Sequence, residues 1–238
     1  MISASPSTMT ALMKVSGLSY RYPRSGRLLD SIDFSLYAGD RVALMGANGA
    51  GKTTFLHLLV GLKKAKTGKV MAFGRNRLEE ADFVEVRAKA GFLFQDPDDQ
   101  LFCPTVLEDV AFGPLNMGKS REQALTISRE TLASLGMEGF EARVAHQLSG
   151  GEKRMVTLAS VLAMEPEVLL LDEPSNALDT DARKRLIEIL QSLPQTMIII
   201  SHDDDFLAQL ATRRVCLEGG KLSELDAVVS SEPDVGIA

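Results

Sequence analysis

The chain has 238 residues, of which 45% are hydrophobic and 24% charged, with a formal net charge of −6. That balance suits a soluble globular protein with ample length for a core, and its acidic sign argues against non-specific nucleic-acid binding. Two cysteines, Cys103 and Cys216, lack metal-ligand spacing and a disulfide framework, which fits a reducing compartment. The start has no basic segment followed by an apolar run, as a signal peptide would, and no apolar stretch has the roughly 18 residues of a membrane span.

Residues 1–10 read as a flexible start. Leu12 to Tyr22 and Leu28 to Tyr37 alternate as half-buried strands, with turn chemistry from Pro23 to Gly26 between them. Asp40 to Met45 is a short buried strand, and Thr53 to Leu62 a helix with an apolar face. A strand at Lys69 to Phe73, an exposed helix at Glu79 to Ala90 and a buried strand at Gly91 to Phe94 follow. From Asp96 to about Ala163 helical spacing dominates, punctuated by Pro97, Pro104 and Pro114. This stretch, 96–163, is expected to be a helical subdomain inserted into a core made of 12–95 and 164–225. Val168 to Asp172 and Thr196 to Ser201 are continuous apolar runs, as in buried parallel strands. Thr180 to Leu193 and Asp203 to Ala211 are helices; Arg214 to Glu218 and Lys221 to Leu225 form a hairpin, and 226–238 a tail. Strands alternating with helices imply an α/β fold with a mostly parallel sheet covered on both faces, preceded by a small antiparallel β subdomain.

Gly46-Ala47-Asn48-Gly49-Ala50-Gly51-Lys52-Thr53-Thr54 has the form G-x-x-x-x-G-K-[ST], between a strand and a helix. This is a P-loop: backbone N–H groups and a helix N-terminus wrap phosphates, Lys52 should reach the β- and γ-phosphates of a nucleotide, and Thr53 should place its hydroxyl on Mg²⁺. A P-loop alone does not choose among kinases, GTPases and ATPases. Asp172 and Glu173 stand side by side at the end of an apolar strand, the first suited to Mg²⁺ and the second to general-base catalysis. Leu148-Ser149-Gly150-Gly151-Glu152 opens another helix with exposed backbone N–H groups. Alone it would be an ordinary N-cap. One ATP does not need two such cradles from one chain, so a head-to-tail dimer is expected, each nucleotide lying between the P-loop of one copy and Ser149 to Glu152 of the other.

Together GANGAGKTT, LSGGE and VLLLDEP resemble the ATP-binding cassette (ABC) family, in the family's order and over nearly the whole chain. The resemblance implies further roles. Tyr22, with Tyr20 as a competitor, would stack on adenine; Gln95 would contact Mg²⁺, the attacking water and the γ-phosphate. The segment Ser175 to Asp179 would cross the dimer interface through Asp179, although Asn176 departs from the usual pattern there. His202 would be the switch histidine at the γ-phosphate. His57 and His146 are assigned nothing.

Phe94 to Phe102, FQDPDDQLF, with EKR after LSGG and VLAMEPEVLLLDEP, is similar to the ATPases of energy-coupling factor (ECF) transporters. That implies a homodimer, or a heterodimer with a related ATPase, on the cytoplasmic face of a membrane. Its partners would be a scaffold subunit and a substrate-binding membrane subunit, with no nucleic acid. The segment after Gln95 would form a short helix lining a groove for the scaffold's coupling helices, with Asp98, Asp99 and Gln100 offering polar groups. The short tail resembles dedicated cobalt, nickel or biotin systems, and the wording near Pro166 points toward cobalt or nickel. Biotin or another vitamin is the alternative cargo, and a non-transport ABC ATPase acting on nucleic acid or ribosomes is the alternative of another class.

Overall fold

The computed structural model describes residues 10–23 and 26–225. Residues 1–9 of the expected flexible start, part of the turn after Pro23, and the tail at 226–238 lie outside the described residues. Ten strands and seven α-helices are described here, and the sequence-predicted order of elements holds with two refinements noted below.

Four strands form an antiparallel sheet: β1 (Met13–Tyr22), β2 (Gly26–Leu36), β4 (Thr67–Ala72) and β5 (Arg75–Arg77), in the order β2-β1-β4-β5. The other six form a mixed sheet from β3 (Arg41–Met45), β6 (Ala90–Leu93), β7 (Val168–Asp172), β8 (Thr196–Ile200), β9 (Arg213–Glu218) and β10 (Lys221–Leu225). Its order is β10-β9-β3-β8-β7-β6; every pairing is parallel except the β9–β10 hairpin. In β7, Val168 and Leu170 pack toward one core with α1 (Lys52–Leu59) and the antiparallel sheet, while Leu169 and Leu171 face a second core under the helical region. Ile198 and Ile200 against Met197 and Ile199 repeat that alternation in β8. Both faces are therefore buried, which is why these strands read as unbroken apolar runs.

The helical region runs through α3 (Val106–Asn116), α4 (Arg121–Ser134) and α5 (Gly150–Leu162), after α2 (Asp82–Lys89) and β6. Ser120 and Ser149 each close a capping box, with Gln123 and Glu152 respectively, and this fixes where α4 and α5 begin. Then α6 (Thr180–Ser192) and α7 (Asp204–Leu210) flank β8. Among the described residues, no helix is long and apolar enough to cross a membrane.

The two refinements have physical causes. Sequence periodicity gave no sign of β5, because Arg-Asn-Arg has no apolar alternation. The strand is held by the Arg77 guanidinium, 5% exposed, which donates to the Ala72 carbonyl at 2.9 and 3.1 Å and to Glu85 at 2.9 Å. Pro114, expected to punctuate, lies inside α3, within its last turn. There it removes a single N–H bond, close to where the helix ends anyway.

Candidate functional site

The parallel strands β3, β8, β7 and β6 lie side by side, so their carboxyl ends deliver four segments to one edge of the sheet. The P-loop follows β3, Ser201-His202 follows β8, Glu173 follows β7 and Gln95 closely follows β6. They frame a cleft of about 720 Å³ whose lining includes Tyr22, Lys52, Gln95, Asp172, Glu173 and His202. Asn48, Gly49, Gly51, Thr53 and Thr54 complete the phosphate-loop side of that lining.

The loop geometry is fixed by glycine. Gly51 is the N-cap of α1 at φ 109°, and Gly46 adopts φ 138°. A Cβ on Gly46 would fall 2.3 Å from the Leu217 carbonyl oxygen of β9, a backbone atom that cannot swing aside. Gly46→Ala is expected to cost about 2–4 kcal/mol of stability, read as a lower urea midpoint at unchanged slope. A midpoint equal to wild type would show that β9 does not constrain the loop. Gly46, Ala47 and Ala50 shape the turn: Lys52 Nζ donates to the Gly46 and Ala47 carbonyls at 2.7 and 3.2 Å, and Ala50 N–H donates to Ala47.

Asp172 is 1% exposed at the end of β7. Burial pushes its carboxyl above the usual carboxylate range; a hydrogen bond from Thr53 and the charges of His57, Lys52 and Arg154 oppose that rise. Glu173 adopts a left-handed backbone, φ 49°, which turns its side chain out of the strand direction. Its carboxylate lies 3.3 Å from His202 Nε2 and accepts from the His202 backbone N–H at 3.3 Å. His202 is exposed beside Asp203, which caps α7 and is gripped by Arg183 of α6. Tyr22 lines the cleft, with its hydroxyl 3.0 Å from Thr54 Oγ1 and Lys63 Nζ 5.2 Å from the ring centroid. Tyr20, the competing aromatic, packs edge-on against Tyr22 with ring centroids 5.0 Å apart and does not line the cleft.

Ser149, Gly150, Gly151, Glu152 and Asp179 are not brought into this cleft. The Ser149 hydroxyl accepts from the Glu152 N–H at 3.3 Å, and the Glu152 carboxylate accepts from the Ser149 N–H at 2.7 Å. Asp179 caps α6, accepting from the Ala182 N–H at 2.8 Å. Gly150 instead borders a neighbouring hollow of about 540 Å³ with Asp96, Asp98, Asp99 and Lys153; Gln95 and Asn176 line both spaces.

The segment after Gln95 forms a short 3₁₀ turn, Pro97–Asp99, capped by the Asp96 side chain. Of the polar groups expected to face a partner, Asp98 and Gln100 also make contacts within the chain. Asp98 pairs with Lys153 at 2.6 Å, and Gln100 accepts from the Phe94 N–H at 3.2 Å while donating to Ser160 at 3.3 Å. What the surface presents beside them is apolar: Phe102 and Phe112, 63% and 47% exposed, meet edge-on at 4.9 Å above a groove that also includes Phe92, Phe94 and Met164. His57 is half-buried against Phe92 and Phe94, and His146 is exposed.

Sequence reasoning missed Arg154. It is 2% exposed on α5 and donates to the Phe94 carbonyl at 2.7 Å and the Gln95 carbonyl at 2.6 Å. It stands in the sequence as the last residue of the EKR that follows LSGG, but nothing local gives it a role; the one further signal was a charged residue ahead of an apolar run.

Comparison with known proteins agrees with this geometry. The family described as ABC transporter matches residues 29–176. The energy-coupling factor transporter ATP-binding protein EcfA of Methanothermobacter thermautotrophicus is 43% identical over 216 residues, covering 89% of this chain and 69% of that protein. The structure of cbiO1 from Clostridium perfringens, part of the ABC transporter complex cbiONQ, superposes with a TM-score of 0.78 at 32% identity, covering 90% of this chain and 87% of that one. The dimeric ATP-binding cassette MJ0796, bound to ADP and phosphate, gives a TM-score of 0.79 at 25% identity, covering 90% of this chain and 99% of that one. With its P-loop, its paired carboxylates and its cleft at the carboxyl edge of a mixed sheet, the chain belongs to the ABC transporter family as a transport ATPase.

Proposed function

We propose that the chain is the ATP-hydrolysing subunit of an ECF-type importer and works as a head-to-tail dimer, coupling ATP binding and hydrolysis to uptake of a cobalt or nickel ion. The observation that carries the catalytic part is the convergence of Lys52, Thr53, Asp172, Gln95, Glu173 and His202 on one cleft from four adjacent strand ends. Gly46 to Thr54 wrap the phosphates, with Lys52 turning from the loop carbonyls to the β- and γ-phosphates. Tyr22 stacks on adenine. Glu173 takes the proton of the attacking water, and His202, 3.3 Å away, orients that carboxylate and meets the γ-phosphate.

Asp172 and Thr53 suit Mg²⁺. They are adjoining hard oxygen donors, one a buried carboxylate, and a cation would offset the burial that disfavours its charge. Gln95 would complete the protein ligands. When bound, the ion neutralises charge on the phosphate oxygens.

The dimer reading rests on the separation of two cradles. The capped N-terminus of α5, Ser149 to Glu152, lies outside the cleft of its own chain and is free to close over a partner's nucleotide, with Asp179 at the crossing. The dimeric MJ0796 cassette supports this arrangement. The exposed Phe102–Phe112 groove supports docking of apolar coupling helices from a scaffold subunit at the cytoplasmic face of the membrane. The similarity to EcfA and to cbiO1 of the cbiONQ complex supports the transporter class, and the sequence resemblance supports metal as cargo.

The test is a tagged pull-down from native membranes in mild detergent, joined to uptake of radiolabelled cobalt, nickel and biotin with and without Glu173→Gln. Recovery of a membrane scaffold together with metal uptake lost in the variant is the expected result. Biotin uptake would replace the cargo. Recovery of ribosomes or DNA in place of membrane subunits would overturn the transport role.

A further inference from the structure

The N-terminus of α5 and the Gln95 segment are joined by more than packing. Arg154 sits just beyond the first turn of α5 and spans to the loop after β6, giving one N–H each to the Phe94 and Gln95 carbonyls. Two consecutive carbonyls are held by the two separate Nη groups of one planar fork, whereas a lysine here would bring a single Nζ on a differently shaped stem. Arg154 is 2% exposed, and its Nε–H finds no acceptor among the described residues, so satisfying its own donors does not account for where it lies. A buried charge of this kind is costly unless it serves its neighbours. Those neighbours are Asp96, Asp172 and Glu173, whose carboxylates favour its charged form against the opposing effect of burial. The adjacent Lys153 adds a tie from the same helix to the same loop, at Asp98. Gln95 itself is exposed and lines the cleft.

We infer that Arg154 is a positioning residue that links the capped end of α5 to Gln95, so that seating α5 against a partner's nucleotide sets the Gln95 side chain in this chain's own cleft. The inference rests on the dimer reading of the function. It gives each cleft a mechanical report of whether the opposite cleft is filled. Displacement of Ser149 to Glu152 moves the helix as a rigid unit, and the bidentate grip moves the Gln95 backbone with it.

The test is a mutant cycle on the full-length chain with Arg154→Lys, Gln95→Ala and the double variant, reading kcat and KM for ATP. Thermal unfolding serves as the folding check. Arg154→Lys keeps the charge and loses the fork; it is expected to lower kcat about tenfold at unchanged KM, because small misplacements of a positioned group are expensive. In the Gln95→Ala background the same change is expected to cost less than about twofold. Equal costs in both backgrounds, or a raised KM with kcat intact, would overturn the inference. Should Arg154→Lys fail to fold, hydrogen exchange on the wild type with a non-hydrolysable ATP analogue decides. Amides of 94–99 and of 150–156 are expected to gain protection together; protection of one segment without the other overturns the link. Failure of the functional reading looks different: the wild type itself would neither turn over ATP nor dimerise with nucleotide.

Discussion

Glu173→Gln is expected to lower ATP turnover by about 10²- to 10⁴-fold while leaving nucleotide binding intact, and to accumulate an ATP-bound dimer. The substitution keeps the size and the hydrogen-bonding reach of the side chain. One amide end can still accept from the His202 N–H, as the carboxylate does at 3.3 Å. What it loses is the capacity to take a proton from water. Glu173 contributes nothing to the loop that wraps the phosphates, so binding is untouched. The left-handed backbone at φ 49° and the hydrogen bond from its N–H to the Ile200 carbonyl at 2.9 Å fix where the side chain emerges, and neither depends on the carboxylate. In the proposed cycle hydrolysis reopens the closed dimer, so a variant that binds without hydrolysing shifts the population to the closed form. The measurements are steady-state phosphate release and size-exclusion chromatography with and without ATP. Turnover at the wild-type rate would remove Glu173 from the role of base. Loss of turnover together with loss of nucleotide binding would make it a structural residue of the cleft.

Much of this site was legible in the sequence because its parts are short, contiguous and tied to backbone needs. A P-loop requires glycine where φ is positive, and Gly46, Gly49 and Gly51 all adopt such values. Ser149 and Glu152 spell out a capping box, and the box is present. The parallel strands announce themselves because both their faces are buried, as Leu169 and Leu170 are on opposite cores. Less legible was whatever depends on contacts between distant segments. Arg154 touches residues some sixty positions away, at Phe94 and Gln95; periodicity describes only its helix. Arg77, by contrast, bonds to Ala72 and Glu85 only five and eight positions away, yet no apolar periodicity encodes the strand it holds. The intrachain contacts of Asp98 and Gln100 were hidden for the same reason as those of Arg154: the acidic, polar run also forms an ion pair with Lys153 and a strut to Ser160 in the fold. The resemblance already favoured Tyr22 over Tyr20, and what the structure adds is that Tyr22 lines the cleft and Tyr20 does not.

Asp172→Asn is expected to raise the unfolding temperature of the nucleotide-free protein by roughly 2–4 °C at neutral pH while reducing Mg²⁺-dependent ATP turnover by at least about 10²-fold. The two effects have one origin. Asp172 is 1% exposed, and burial raises its carboxyl affinity for protons above that of the unfolded chain. The folded state therefore binds the proton more tightly than the unfolded state. That contribution to stability is complete below the unfolded carboxyl value and is lost as pH rises through the higher folded value. At neutral pH the wild type bears the full cost of a buried carboxylate, relieved in part by Thr53, His57, Lys52 and Arg154. Asparagine removes the charge and keeps an oxygen that can accept from Thr53. The gain should thus shrink on acidification, as the wild-type carboxyl becomes neutral, and melting curves from pH 7 downward read this directly. The same neutral amide is a poor ligand for a hard divalent cation, so the stabilised variant loses what the unstable carboxylate was kept for. A melting temperature that falls at pH 7 would mean that the Asp172 charge is a net stabiliser through Lys52 and Arg154, and would reverse the sign of the argument. A variant that melts higher and still hydrolyses ATP at the wild-type rate would take Asp172 out of the metal site.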